Sequence, residues 1–219
     1  MNHSDAKAPG RTKLLSLLLC VAVPWGFAGK VFGADIKTIV FFGDSLTAGA
    51  GLEDPPAQAF PALIEQKIHD AGLACRVVNA GLSGETSAGG LRRVDWILRQ
   101  RVDMFVLELG GNDGLRGLPP ETTRANLQAI IDRVRAKSPA TKIVLAGIAA
   151  PPNMGAEFTR AFAAIFPALA AKNDVAFIPF LLAGVAGRPE LNQADGIHPT
   201  DRGHRLVAET VWKTIRPLL

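Results

Sequence analysis

The stretch Ile39-Val40-Phe41-Phe42 is apolar at every position and halts at Gly43-Asp44-Ser45. A strand wetted on one face alternates apolar and polar residues, whereas an unbroken run bounded by turn residues suits a strand covered on both faces. Such covering calls for helices on either side of a parallel sheet, and open α/β sheets place their ligands at the carboxyl ends of the strands. Ser45 stands at that end and is the candidate nucleophile. A lone Gly-Asp-Ser is also an ordinary turn in which the acid or the serine caps the next helix. What other segments bring to the same edge therefore decides.

The rest of the chain alternates in the same way. Residues 57–71 carry Phe60, Leu63, Ile64 and Ile68 at helical spacing and close at Gly72. Strands are predicted over 75–80, 104–109, 142–148 and 175–180, and helices over 87–101, 121–137, 156–172 and 201–215, with Pro139 stopping the second of these helices and Pro167 bending the third. The stripe Phe158, Phe162, Ile165 and Leu169 reads as core. Five strands alternating with helices predict a flavodoxin-like, three-layer α/β/α architecture around a five-stranded parallel sheet. Residues 35–219 are expected to form one domain, of ordinary size and globular composition, with 48% apolar and 20% charged residues in the chain.

The first 34 residues differ. Arg11 and Lys13 precede an apolar run over 14–28 that only Ser16, Pro24 and Gly26 interrupt, the order of a secretory signal peptide and too short for a membrane span. Cleavage is expected after Ala28, where Gly26 satisfies the small-x-small rule, or after Ala34. Cys20 follows Leu17-Leu18-Leu19, which lacks the small residue that precedes a lipidated cysteine. The product is thus expected to be exported, periplasmic or secreted, with no stable span and with Cys75, read as a small core residue, as its one cysteine. Lys7, Arg11 and Lys13 against Asp5 account for +2 of the formal net charge of +4, so the remainder is near balance. It shows no basic stripe interleaved with aromatics, which excludes nucleic acid as a partner. There is no tyrosine to serve as acid, base or oxyanion donor.

Strands one, two and three each run into a glycine-rich loop, and Asp195-Gly196-Ile197-His198-Pro199 follows strand five. In a parallel sheet these segments share one edge. Ser45 offers a hydroxyl, His198 a base and Asp195 the carboxylate that fixes the imidazole tautomer. The backbone N–H groups of Ser45 and Gly84, with the side-chain amide of Asn112, make a three-donor oxyanion hole. Taken singly Gly84, Asn112 and Asp195 are plain loop residues; together they form a site for acyl transfer.

The blocks Gly43-Asp44-Ser45-Leu46, Asn79-Ala80-Gly81-Leu82-Ser83-Gly84-Glu85-Thr86, Gly110-Gly111-Asn112-Asp113 and Asp195-Gly196-Ile197-His198 resemble, in order, those of the GDSL esterases, also called SGNH hydrolases. The run from Leu107 to Gly117 resembles the secreted bacterial thioesterase/lysophospholipase and arylesterase subgroup. The resemblance implies Ser45 as nucleophile, His198 as base oriented by Asp195, and Gly84 and Asn112 as oxyanion donors. It also implies a three-layer fold, a small-molecule ester or thioester as substrate, and a loop over 114–120 that closes on it. No cofactor is implied.

Rival readings are weaker. Residues 43–51 are glycine-rich after a strand but lack the Lys-Ser/Thr pair of a phosphate-binding loop. Neither Ser45 nor Ser83 fits the Gly-x-Ser-x-Gly elbow, having Thr47 and Glu85 at the last position. Asp195, His198, Asp201 and His204 recur every three residues like a metal site, but Pro199 interrupts any continuous helix across them, and no metal is expected. His69 is expected in solvent. Carbohydrate deacetylation needs the same machinery and is the closest alternative activity. An inactive lipid- or carbohydrate-binding module is the alternative of another class, against which the complete set of reactive residues argues.

Overall fold

The computed structural model describes residue 1 and residues 36–219; the leader expected over 1–34 otherwise lies outside the described residues. In chain order the elements are β1 (Lys37–Gly43), α1 (Ser45–Ala48), α2 (Pro55–Gln58), α3 (Phe60–Asp70), β2 (Cys75–Gly81), α4 (Ser87–Ile97), β3 (Met104–Glu108), α5 (Gly111–Leu115), α6 (Pro120–Lys137), β4 (Lys142–Ala146), α7 (Ala156–Asn173), β5 (Ala176–Ile178) and α8 (Asp201–Ile215). All five strands are parallel, in the order β2-β1-β3-β4-β5, as the alternation predicts.

The apolar run earns its place at the centre of the sheet. Ile39, Val40, Phe41 and Phe42 have no exposed surface. Successive side chains leave opposite faces of a strand. The Phe41 ring meets Phe60 of α3 edge-on at 5.5 Å, while Phe42 lies beside Phe105 of β3 and against Gly90 of α4. Helices α3 and α8 pack together, and α4, α6 and α7 pack in series, which supplies the two outer layers. Phe162, Ile165 and Leu169 of the α7 stripe are buried in the core, with Phe158 packed against it. Among the described residues no helix is long and apolar enough to cross a membrane.

Several boundaries differ from expectation, each for a local reason. The helix predicted over 57–71 is two helices, because Ala59 is extended with ψ 146°. Pro61 has no N–H to continue a helix from α2, and the Phe60 N–H turns instead to His204 Nδ1 of α8 at 3.2 Å. The strand predicted over 175–180 is confined to Ala176–Ile178, since Pro179 cannot donate to the ladder and Leu181 N–H bonds the Gly147 carbonyl beyond the end of β4. Helix α4 stops at Ile97 rather than 101, where the Leu98 N–H closes on Val94. Pro167 is accommodated inside α7. Cys75, read as core, is half-buried against it.

The strand order reverses direction between β1 and β3, the switch point at which doubly wound sheets open a crevice. Gly43 pairs in register with Gly81 of β2 and Glu108 of β3, so three strands end level with one another there.

Candidate active site

Beyond Gly43 the chain turns at Asp44 into α1, whose first residue is Ser45. Asp44 Oδ1 accepts the Leu46 N–H at 3.1 Å, so the acid caps the helix and the half-buried serine hydroxyl is left to face the crevice. The turn depends on missing side chains. A Cβ on Gly43 would lie 2.1 Å from Thr47 Oγ1, and one on Gly81 would lie 2.3 Å from the Ala48 nitrogen. Two glycines thus let α1 fold back across the strand ends.

The loop before α8 brings His198 to the serine, with Nε2 2.8 Å from Ser45 Oγ and Nδ1 2.6 Å from Asp195 Oδ2. Asp195 is held in a tight turn by accepting the Ile197 and His198 N–H groups on Oδ1, at 2.9 and 3.0 Å. The hydrogen bond from His198, aided by these N–H groups and opposed by a little burial, lowers the Asp195 carboxyl to about 2. An ionised Asp195 can only accept, so Nδ1 carries the imidazole proton and Nε2 is free to accept the Ser45 O–H. Gln193, which no sequence motif singles out, donates to the Ala50 carbonyl at 2.8 Å and to the Pro199 carbonyl at 3.0 Å, tying this loop to the one after α1. The Thr200 hydroxyl then caps α8 by accepting the Gly203 N–H.

Gly84 lies exposed with φ +79°, a conformation natural to glycine, in the loop between β2 and α4. Its carbonyl accepts from Arg116 Nη2 at 2.9 Å. Ser45 N–H, at the open start of α1, and Gly84 N–H meet no protein acceptor among the described residues. Asn112 behaves differently. Its Nδ2 donates to Asp44 Oδ2 and to the Glu85 carbonyl, both at 3.1 Å. Next to it the buried Asp113 accepts from Ser87 N–H, from Ser87 Oγ and from Thr123 Oγ1, anchoring α5 to the start of α4 and to α6.

Two buried acids, Asp44 and Glu108, lie beneath Ser45. Glu108 accepts the Asp44 N–H at 3.2 Å and the Thr47 hydroxyl at 2.7 Å on Oε2, while its buried Oε1 meets no partner among the described residues. Burial, and then the neighbouring Asp44 charge, pushes Glu108 well above the ordinary carboxyl range. Asp44 is pushed up to about 6 by burial, against the opposing pull of the Leu46 N–H, the Asn112 amide and His198.

The four residues that recur every three positions are engaged separately. His198 is bound to Asp195 and Ser45, Asp201 pairs with Arg205, and His204 is buried against Phe60. His69 is exposed, with Asp70 beside it. A cleft of about 370 Å³ has an apolar lining that includes Leu115, Ile148, Phe180 and Leu182 together with Leu46 and Ile197, the chain neighbours of Ser45 and His198. Its volume falls in the range of about 300–1,000 Å³ common to small-molecule sites.

The chain is 42% identical to the esterase TesA of Pseudomonas aeruginosa over 187 residues, 85% of this chain and 91% of that protein. A crystal structure of TesA superposes with a TM-score of 0.79, covering 84% of this chain and all of the other. Thioesterase 1/protease 1/lysophospholipase L1 of Escherichia coli is 39% identical over 85% of this chain and 86% of its own length. An arylesterase of Vibrio mimicus is 35% identical over 80% of this chain and 86% of its own. With residues 41–206 matching the profile of the GDSL-like Lipase/Acylhydrolase family, the chain belongs to that family.

Proposed function

We propose that the protein hydrolyses carboxylic esters and thioesters through an acyl-enzyme on Ser45. The observation that carries this reading is the unbroken hydrogen-bonded series Ser45, His198, Asp195 beside an apolar cleft. Ser45 Oγ attacks the substrate carbonyl as His198 Nε2 takes its proton, and Asp195 stabilises the imidazolium. The resulting oxyanion accepts from the Ser45 and Gly84 N–H groups and from Asn112. Collapse expels the alcohol or thiol, which leaves with the proton from His198. Water then attacks the acyl-serine by the same route in reverse, releasing the acid and the free hydroxyl. The apolar lining favours an acyl or aryl group over a sugar, and each methylene buried there contributes about 0.8 kcal/mol, or about fourfold in kcat/KM, until the cleft is filled.

The leader over 1–34 is proposed to direct export, with 35–219 as a single catalytic domain. Sequencing the mature amino terminus after cell fractionation tests this; a start at Gly29 or Asp35 is expected. For the chemistry, a series of p-nitrophenyl esters and acyl-CoA substrates is assayed with wild type and Ser45→Ala. Loss of about 10⁶-fold in turnover is expected. Equal rates from the two proteins would refute the mechanism.

A further inference from the structure

We propose that Asp44 is a positioning residue for Asn112, holding one hydrogen of its amide so that the other can be passed from the Glu85 carbonyl to the oxyanion. The inference rests on the reading of Asn112 as an oxyanion donor. That reading meets a stoichiometric obstacle. A side-chain amide nitrogen has two N–H groups, and in Asn112 one points to Asp44 Oδ2 and the other to the Glu85 carbonyl. A third acceptor must displace one of these two.

The two partners are not equivalent. Asp44 is 2% exposed, and its carboxylate has one N–H donor on each oxygen, Leu46 on Oδ1 and Asn112 on Oδ2. Withdrawing the Asn112 hydrogen would strand a buried charged oxygen and forfeit a charge-assisted bond. Releasing the Glu85 carbonyl exposes only a neutral acceptor, and under-satisfied carbonyls are the better tolerated case. Exchange therefore takes place on the Glu85 side. There a neutral acceptor is replaced by an anion that exists only once the substrate carbonyl has been attacked, so the gain is confined to the transition state.

Asp44 is also fixed well enough to act as a reference point. It caps the helix that starts with Ser45, and a Cβ on Gly111 would come within 3.0 Å of its Oδ2, so the turn bearing Asn112 is seated directly on the carboxylate. Through Asp44 the nucleophile and the amide donor share one anchor. Glu108 accepts the Asp44 N–H from below, but among the described residues its own Oε1 meets no donor, whereas each oxygen of Asp44 has one.

The test is a double-mutant cycle with a p-nitrophenyl ester, with active serines counted by a fluorophosphonate so that kcat refers to folded enzyme. Asp44→Ser retains an oxygen for the Leu46 N–H but cannot reach Asn112; Asp44→Asn keeps the shape and offers a single acceptor for the two donors. Asn112→Ala is expected to lower kcat by ~10²- to 10³-fold. Asp44→Ser should lower kcat by at least ~10-fold with KM little changed, Asp44→Asn by less, and neither should lower it further in the Asn112→Ala background. Equal losses with and without Asn112, or a change confined to KM, would overturn the positioning role while leaving the oxyanion assignment intact. An unchanged kcat in Asn112→Ala would instead remove the oxyanion assignment, and the positioning role with it.

Discussion

Arg93 of α4 closes a fork on Glu85, with Nε 2.7 Å from Oε1 and 2.8 Å from Oε2 and Nη2 bonded to Oε2 as well. The same guanidinium donates to the carbonyls of Gly43 at 3.2 Å and Ala80 at 2.8 Å and lies 4.0 Å over the Phe42 ring. One side chain thereby ties the ends of β1 and β2 to the loop that presents Gly84. Arginine is suited to this because it is planar, permanently charged and able to stack.

Breaking that pair should be costly. Glu85 has only 4% of its side chain exposed and Arg93 22%, so Glu85→Ala leaves a largely buried cation without its partner. A loss of about 3 kcal/mol, the lower end for a broken buried pair, is expected in urea unfolding, together with reduced turnover as the Gly84 loop loosens. Arg93→Lys should recover little of either, since an ammonium cannot reproduce the fork.

Asp195→Asn preserves an oxygen for the Ile197 and His198 N–H groups but no longer selects the Nδ1–H tautomer of His198. Because 43% of the Asp195 side chain is exposed, water can replace part of its effect on the imidazolium. The fall in kcat should therefore stop short of the ~10⁴-fold seen when a buried triad carboxylate becomes an amide. Steady-state kinetics of the variant on a short aryl ester decides; a loss of that full size would mean that water offers no substitute.

Gly43→Ala should be among the most damaging single-methyl changes in the protein. The added carbon would meet Thr47 Oγ1 at 2.1 Å, Glu108 Oε2 at 2.3 Å and the Glu108 carbonyl oxygen at 2.7 Å. Since the last of these is backbone of β3, the end of β1 must shift away from it, carrying Ser45 two residues further on. Destabilisation of about 1–3 kcal/mol, with turnover falling in the same variant, is expected from thermal unfolding and kinetics run side by side.

His204 makes stability depend on pH. Burial lowers its pKa from 6.5 to about 4, opposed by the Asp201 charge and reinforced by that of His198. Above pH 6.5 the ring is neutral in both states and Nδ1 accepts the Phe60 N–H. As the pH falls from 6.5 to 4 the unfolded chain gains a proton that the native ring resists, so stability declines across that window by up to about 3 kcal/mol and then levels off. Urea midpoints of wild type and His204→Leu measured at pH 7 and pH 4 check this; the variant should start lower and show the smaller decline.

The sheet was legible because unbroken apolar runs and helical spacings are local signals, and α8 begins and ends at the residues they indicate. The candidate site was legible for a different reason: Ser45, Gly84, Asn112 and the Asp195–His198 pair each follow a strand, and a parallel sheet gathers such positions at one edge. What lay beyond reach depends on register. Glu108 is visible in the sequence as an acid at the end of an apolar run, but only its pairing level with Gly43 puts it beneath α1. Arg93 and Glu85 are eight residues apart across a loop and a helix, a spacing with no periodic signature. The break at Ala59 was hidden because the His204 ring that takes the Phe60 N–H comes from the far end of the chain.

The contacts of His198 differ greatly in how far they reach along the chain. Its carboxylate is three positions away, whereas its serine is 153 positions away. During synthesis Ser45 therefore leaves the ribosome long before His198, and every shorter nascent chain lacks the imidazole that meets its hydroxyl. His198 and Asp195, three residues apart, emerge together on a segment that follows the last strand, β5, in the chain. A Ser45 hydroxyl bonded to imidazole therefore requires the chain to be made as far as His198, and a truncation that removes the segment after β5 leaves the serine without that partner.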